Sequence, residues 1–124
     1  MPKHIALYLR VSSKQQDTKS QSPDLLKWAQ LHADGQPTVM YRDSFTGTTM
    51  DRKGWNKLRA AVDAGLVSKI VVWRLDRLGR TASGLTKLFD DLRARKVGLV
   101  SIKDGLDLDT AAGRLMANVL ASVA

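Results

Sequence analysis

The segment that decides the fold is KHIALYLRV at residues 3–11, which alternates apolar and other side chains with the two-residue period of a β-strand. One face of this predicted strand carries a row of four aliphatic side chains: Ile5, Leu7, Leu9 and Val11. The opposite face carries Tyr8 and Arg10, and Ser12 follows in the same alternation. A tyrosine and an arginine on a covered face are costly without partners, so the end of this strand is a candidate functional position.

Strand-like and helix-like segments alternate along the rest of the chain. Further strands are predicted at residues 38–41, 69–75 and 97–102, with a short edge strand at 105–108. Helices are predicted from the Ser22-Pro23-Asp24 start signal to Gly35, around 55–62 as far as Gly65, over 81–95, and from 109 onward. The polar stretches 13–21 and 43–53 are predicted to be loops, the second of them mobile. The pattern predicts an α/β fold with helices on both faces of a largely parallel sheet.

Charge and composition narrow the possible functions. Twenty Lys and Arg against twelve acids give a net charge of +8 and a pI near 10.1, which favours a polyanionic partner. All twelve acids are Asp, so a Glu base or Glu metal ligand is excluded within these residues. The sequence has no Cys, which excludes disulfides, thiolate metal sites and cysteine nucleophiles. No apolar run has the length of a membrane span and the first residues are not a signal peptide, so a cytoplasmic location is expected.

A second cluster of charge follows the predicted strand at 69–75. Asp76, Arg77 and Arg80 gather on one side if the chain turns helical there, at the same edge of the sheet as Ser12. Planar guanidiniums match phosphate oxygens, and their charge cannot be titrated away. Taken alone, the first strand favours a structural interpretation in which Ser12 begins a loop, and the second cluster fits a solvated helix start with one surface ion pair. Together the two clusters favour a phosphate site.

Five segments, distributed along the chain, form recognisable motifs. YLRVSSKQQ at 8–16 is similar to the nucleophile motif of the serine recombinase (resolvase/invertase) family and matches it at every constrained position. LDRLGR at 75–80 resembles a second motif, and DRKG at 51–54 resembles a third. DSFTG at 43–47 resembles the mobile-loop segment, and residues 113–124 resemble the start of the long dimer helix. Motifs spread over almost the whole chain are a more specific signal than one short pattern.

The resemblance implies a reaction and roles for individual residues. Ser12 would attack a DNA phosphodiester, form a 5′-phosphoserine bond and release a 3′-hydroxyl, with no metal, cofactor or ATP. Arginines would hold the scissile phosphate: Arg10, Arg77 and Arg80, with Arg52 approaching from the loop side. Asp76 would orient an arginine or transfer a proton. Supporting or phosphate-positioning roles are expected for Tyr8, Gln16, Gln21, Asp43 and Thr46.

The last predicted helix carries an apolar stripe, which a second copy of the chain is expected to cover: Leu115, Met116, Val119, Leu120 and Val123. The resemblance implies a homodimer that forms a tetramer on double-stranded DNA. Residues 1–108 would form the catalytic core and 109–124 the start of the dimerisation helix, with a DNA-binding domain expected outside this sequence. The piece alone is expected to bind DNA weakly and with a steep dependence on salt.

Several alternatives stay open. A serine-type transposase or a large phage integrase would share such a catalytic domain. A basic module that docks on DNA without cleaving it would have no need of the complete set of serine and arginines. Metal chemistry is weakly supported, because the two histidines are far apart in the sequence and Asp104, Asp107 and Asp109 fit turn and cap roles better than a calcium loop. The three tryptophans fall on apolar positions and are assigned to the core: Trp28, Trp55 and Trp73.

Overall fold

The computed structural model describes residues 3–12, 15–46, 49–50, 52–78 and 82–123; the side chains at 12, 15–20, 45, 46, 49, 50, 76, 77, 82, 83, 120, 121 and 123 lie outside the description. The strands are β1 (His4–Ser12), β2 (Thr38–Thr46), β3 (Thr49–Met50), β4 (Val67–Val72), β5 (Gly98–Ser101) and β6 (Leu106–Asp107). The helices are α1 (Gln15–His32), α2 (Lys53–Asp63), α3 (Ala82–Ala94) and α4 (Ala111–Val123), and a 3₁₀ turn spans Leu75–Leu78. None of the helices in these ranges has both the length and the apolar character that a membrane crossing requires.

The strands in the described ranges form one sheet in the order β3-β2-β1-β4-β5-β6. Its four central strands are parallel, and the short edge strands β3 and β6 are antiparallel to their neighbours. The chain runs outward from β1 to β2 and then crosses back over β1 to β4. The carboxyl ends of β1 and β4 therefore form a topological switch point, where ligands bind in open α/β sheets. The predicted α/β fold with a largely parallel sheet is confirmed.

Helices cover both faces of the sheet. On one face the aliphatic row of β1 packs with Leu25 of α1. On the other face Tyr8 packs in a core with Trp55 and Leu58 of α2 and Phe89 of α3. The two faces of β1 are separated as predicted, and the tyrosine is completely buried. Its hydroxyl therefore needs a partner inside the protein.

The start of α1 differs from the prediction. Residues 13–21 were expected to be a loop, but the helix begins at Gln15 and Pro23 lies inside it. Proline gives up the amide bond to the carbonyl four residues earlier, which is why it usually marks a helix start. A tertiary contact holds the preceding turn, since the buried Gln21 side chain donates to the Arg10 carbonyl across 2.9 Å. Local sequence signals cannot report such a contact.

The segment after residue 41 also differs. The predicted strand at 38–41 continues as β2 to Thr46, β3 follows, and α2 begins at Lys53, so most of the loop predicted at 43–53 is regular structure. β2 pairs with β1 as far as Phe45, and backbone ladder bonds form whatever the side chains are. This extension of the strand was therefore not predicted, because it is made of mostly polar residues without an apolar period. The mobility predicted for this stretch stays a prediction, and residues 47, 48 and 51 lie outside the described residues.

The remaining elements follow the prediction closely. Gly65 ends α2 in the left-handed region, with φ 75, and α3, β5 and β6 lie where expected. β4 is shorter than predicted, because the chain leaves the sheet at Trp73 and enters the 3₁₀ turn. Thr110 caps α4, its Oγ1 accepting a hydrogen bond from the Gly113 amide (2.9 Å). Trp55 is a buried core residue and the half-buried Trp28 packs against the core on the α1 face, whereas Trp73 is half-buried and belongs to neither core cluster, so the core assignment was wrong for Trp73.

Candidate active site

The candidate site lies at the carboxyl ends of β1 and β4. Ser12 is the last residue of β1, where it stands opposite Phe45 in the ladder with β2. The 3₁₀ turn follows β4 and packs against β1. Its first and last residues, Leu75 and Leu78, are buried and anchor it. The backbone of residues 75–78, the described part of the second motif, is thus fixed at the edge of the sheet where β1 ends.

Several predicted site side chains lie outside the described part of the structure: those of Ser12, Gln16, Thr46, Asp76 and Arg77, and the whole of Arg80. Their convergence on one phosphate stays a prediction. The structure does describe the other predicted side chains: Tyr8, Arg10, Gln21, Asp43 and Arg52. These five form one connected cluster at the end of β1, and their contacts give the site its geometry.

Asp43 is the buried centre of this cluster, with 2% of its surface exposed. Its Oδ2 accepts a short hydrogen bond from the Tyr8 hydroxyl. The carboxylate also accepts from the backbone amides of Gly54 (2.7 Å) and Trp55 (3.0 Å), in the first turn of α2. A carboxylate from a neighbouring strand therefore does the work of an N-cap side chain and lies at the positive end of the helix dipole.

Gly54 makes this arrangement possible. A Cβ at this position would overlap the backbone carbonyl of Arg42 on β2. The absence of a side chain lets α2 begin directly against β2, within reach of Asp43. The glycine of the third motif is thus explained by a close approach of two backbones.

Arg52 connects this anchored helix to the second motif. It is the residue immediately before α2, and its Nη1 donates to the carbonyl of Leu78 at 3.4 Å, a long hydrogen bond. Its guanidinium also lies 5.6 Å from the centre of the Trp55 ring. Arg52 is therefore held between α2 and the 3₁₀ turn; its approach to a phosphate stays a prediction.

The electrostatics of Tyr8 show which charges surround it. Burial raises the pKa of the Tyr8 hydroxyl, and the hydrogen bond to Asp43 and the charge of that carboxylate raise it further. The positive charges of Arg52 and Arg10 act in the opposite direction and lower this pKa. The proton stays on the tyrosine at neutral pH, which fits the supporting role predicted for Tyr8.

Gln21 ties α1 to the end of β1. It is fully buried, and its amide group donates to the Arg10 carbonyl. Its Oε1 is buried as well and has no hydrogen-bond partner in the described part of the chain. An unsatisfied buried acceptor is uncommon in native structures, and here it lies beside the strand that ends in Ser12.

Sequence reasoning missed the residues that fix the 3₁₀ turn. The Asp104 carboxylate accepts from the Leu75 amide (2.9 Å) and from the buried Ser101 hydroxyl (2.6 Å). The turn role predicted for Asp104 is confirmed, but its partner is 29 residues away in the chain. Nothing in the local pattern could identify that partner.

The buried tyrosine predicts a loss of stability at high pH. The pKa of Tyr8 is raised in the folded state above its ordinary value of 10.0, so the unfolded chain loses this proton first as the pH rises. The free energy of unfolding should therefore be fully retained below pH 10 and should fall above it. Urea unfolding of the wild type and Tyr8→Phe from pH 8 to pH 11 measures this, and the variant should show a shallower fall.

Tyr41→Phe is the comparison variant, because burial raises the pKa of Tyr41 as well. Each single variant should reduce the fall in the free energy of unfolding at alkaline pH, and the double variant should reduce it more than either single variant. An identical slope in the wild type and Tyr8→Phe would contradict the assignment.

Comparison with protein families gives one match over nearly the whole chain. The family model "Resolvase, N terminal domain" matches residues 5–124. Among curated proteins, the chain is 32% identical over 117 residues to serine recombinase gin of Escherichia phage Mu, covering 94% of this chain and 56% of that protein. It is 33% identical over 117 residues to the transposon Tn3 resolvase of Escherichia coli, again over 94% of this chain and over 60% of that protein. The chain thus spans little more than half the length of these relatives.

Solved structures agree on the fold. The N-terminal catalytic domain of TP901-1 integrase superposes with a TM-score of 0.77 at 26% identity, covering 98% of this chain and 93% of that one. A serine recombinase from Sulfolobus solfataricus superposes with a TM-score of 0.61 at 29% identity, covering 81% and 70%. The α/β arrangement derived above is therefore shared with these proteins.

Proposed function

Because the chain belongs to the family of resolvase N-terminal domains, we propose that it is the catalytic domain of a serine recombinase, which cleaves and rejoins double-stranded DNA. The observation that carries this proposal is the hydrogen bond from Arg52 to the Leu78 carbonyl (3.4 Å), which joins the start of α2 to the 3₁₀ turn, at the sheet edge where β1 ends in Ser12. Guanidiniums collected at a topological switch point, beside a serine, suit a phosphodiester substrate. The relatives named above carry recombinase and resolvase names, which supports the same reaction.

The proposed reaction is a pair of phosphoryl transfers. The Ser12 oxygen attacks the scissile phosphorus, the bond from phosphorus to the 3′-oxygen breaks, and that oxygen takes up a proton as the serine loses one. The product is a 5′-phosphoserine ester and a free 3′-hydroxyl. In the second step a 3′-hydroxyl attacks the phosphoserine of a new partner strand and releases the serine. One ester replaces another in each step, so no ATP is needed, and the independence from metal ions stays a prediction.

The arginines are proposed to have different roles, according to their positions in the chain. Arg10, at the end of β1, and Arg77 and Arg80, in and after the 3₁₀ turn, would bind the oxygens of the scissile phosphate and stabilise the charge that develops there. Arg52 would close the site from α2, and its bond to the Leu78 carbonyl supports this by joining α2 to the turn. Asp76 would orient a guanidinium, and Gln16 and Thr46 would support the loops around the phosphate.

Assembly is proposed through α4. Leu115, Met116 and Val119 are 65%, 45% and 52% exposed, whereas Ala117 on the same helix is buried in the core. One face of the helix therefore holds it to residues 1–108, and the apolar stripe suits a second copy of the chain. A homodimer that becomes a tetramer on DNA, working in the cytoplasm, fits this surface. The side chains of Leu120 and Val123 belong to the same proposed interface but lie outside the description.

A covalent-capture experiment tests the function. The protein is mixed with a library of end-labelled DNA duplexes at low salt, denatured, and separated on a denaturing gel. The proposal requires a labelled species that protease removes, with a free 3′-hydroxyl that terminal transferase extends and a 5′ end blocked by a peptide. Reversible binding alone, with no covalent species in any duplex, would favour a docking module instead.

A further inference from the structure

An aromatic and basic cluster lies next to the 3₁₀ turn, outside the motifs discussed so far. The guanidinium carbon of Arg74 lies 4.8 Å from the centre of the Trp73 ring, and Lys103 Nζ lies 5.9 Å from it. The indole Nε1 donates to the Asp24 carboxylate of α1 at 2.8 Å. The ring is therefore fixed in orientation by α1 while two cations pack on it.

The backbone around Arg74 is held on both sides. The Trp73 carbonyl accepts from the Lys103 amide (2.9 Å), and the Leu75 amide donates to Asp104 (2.9 Å). The next bond back, from the Ile102 amide to the Val72 carbonyl (3.0 Å), continues this clamp into the sheet. Arg74 is thus an exposed residue on a rigid backbone, which lowers the entropy lost when its side chain binds a ligand.

The cluster holds two cations, Arg74 and Lys103, and two carboxylates, Asp24 and Asp104. Asp104 is bonded to the Leu75 amide, and Asp24 is shared between the Trp73 indole and Lys103 (3.4 Å). The indole hydrogen bond, with help from Lys103, holds the pKa of Asp24 below its ordinary value, so it stays ionised. Among the described residues no carboxylate pairs with Arg74. A guanidinium stacked on a ring keeps its N–H edge available, and that edge matches phosphate oxygens.

We propose that Trp73, Arg74 and Lys103 form a second phosphate site, which binds a non-scissile phosphate of the DNA backbone. This inference rests on the proposed function and extends its DNA contact surface. Arg74 precedes Arg77 by three residues, so their Cα atoms are at most about 11 Å apart. With one phosphate at the turn, the second site therefore takes a phosphate within a few nucleotides of the cleavage point.

Salt dependence of binding tests the site directly. Anisotropy of a fluorescent duplex is measured over a range of salt concentrations for the wild type, Arg74→Gln and Lys103→Gln. Loss of one phosphate contact should reduce the slope of log affinity against log salt by about 0.9, and Arg74→Gln should weaken binding about tenfold at low salt. Lys96→Gln is the matched control: this exposed lysine precedes β5, whereas Lys103 follows the other end of the same strand, and the slope of this variant should match the wild type. An unchanged slope in Arg74→Gln overturns the proposal.

Cleavage at saturating DNA separates this inference from the proposed function. Arg74→Gln should form covalent complex at the wild-type rate once DNA is saturating, because it acts on binding and not on the scissile phosphate. If Arg74→Gln binds with the salt slope of the wild type but fails to cleave DNA, Arg74 acts at the scissile phosphate and the proposal of a second site is wrong. In a third outcome, the wild type binds DNA with a steep salt slope, Arg74→Gln reduces that slope, and neither protein forms a covalent complex. This outcome would refute the recombinase assignment and leave the phosphate site standing.

Discussion

A Ser12→Ala variant is expected to form no covalent complex with DNA. The Ser12 oxygen is the only proposed nucleophile, and the proposed arginines could polarise the phosphodiester but could not replace the bond that Ser12 is proposed to form. Loss of a nucleophile in enzymes that form a covalent intermediate costs several orders of magnitude in rate, so covalent product should fall by at least about 10⁴-fold. The measurement is the fraction of labelled duplex that stays with the protein on a denaturing gel.

The structure makes this a clean test. Ser12 is held in β1 through the backbone ladder with β2, which alanine keeps intact. Reversible DNA affinity and thermal stability of the variant should therefore equal those of the wild type. Ser13→Ala is the matched control and should cleave normally, because the resemblance to the nucleophile motif assigns the attack to Ser12. Persistent covalent product in Ser12→Ala, or its loss in Ser13→Ala alone, would move the nucleophile to another residue.

The parts of the fold that the sequence predicts are those set by local periodicity. β1 carries its apolar row and its functional face in nine residues, and both faces pack as expected. The start of α1 and the extension of β2 were missed because contacts between distant segments hold them, as with the bond from Gln21 to the Arg10 carbonyl. A polar segment ordered by its neighbours looks like a loop in any local window.

In the candidate site, too, the sequence predicts residues that belong to local motifs but not their partners from distant segments. Motif spacing led to Arg10 and Arg52, whose charges act on Tyr8 in the structure. The partners that fix those residues are separated along the chain. Asp43, on β2, caps the start of α2, and Asp104, which follows β5, accepts a hydrogen bond from the first residue of the 3₁₀ turn. A cap normally lies within three residues of the amides it satisfies, so a cap supplied from 11 residues away has no signature in sequence.

Asp43→Ala is expected to destabilise the protein by about 3–5 kcal/mol, because it leaves a buried hydroxyl and two buried helix amides without their acceptor. Domains of this size are stable by only about 5–15 kcal/mol, so the loss should be plain in urea unfolding followed by circular dichroism. The stability of Asp43→Asn should lie between those of the wild type and Asp43→Ala, because the amide oxygen can still accept one hydrogen bond while the NH₂ group faces other donors. Asp90→Ala, at an exposed carboxylate of α3, is the control and should unfold like the wild type.

Asp43 should also affect cleavage beyond its effect on folding. The start of α2 is anchored by this carboxylate, and Arg52, one residue before the helix, depends on that anchor for its reach to the 3₁₀ turn. Under conditions where Asp43→Asn is more than about 95% folded, its rate of covalent-complex formation at saturating DNA should still be well below the wild-type rate, because the guanidinium is no longer held in place. A wild-type rate for the folded fraction would limit Asp43 to stability. Unfolding of Asp43→Ala at the urea concentration of the wild type would contradict the buried cap itself.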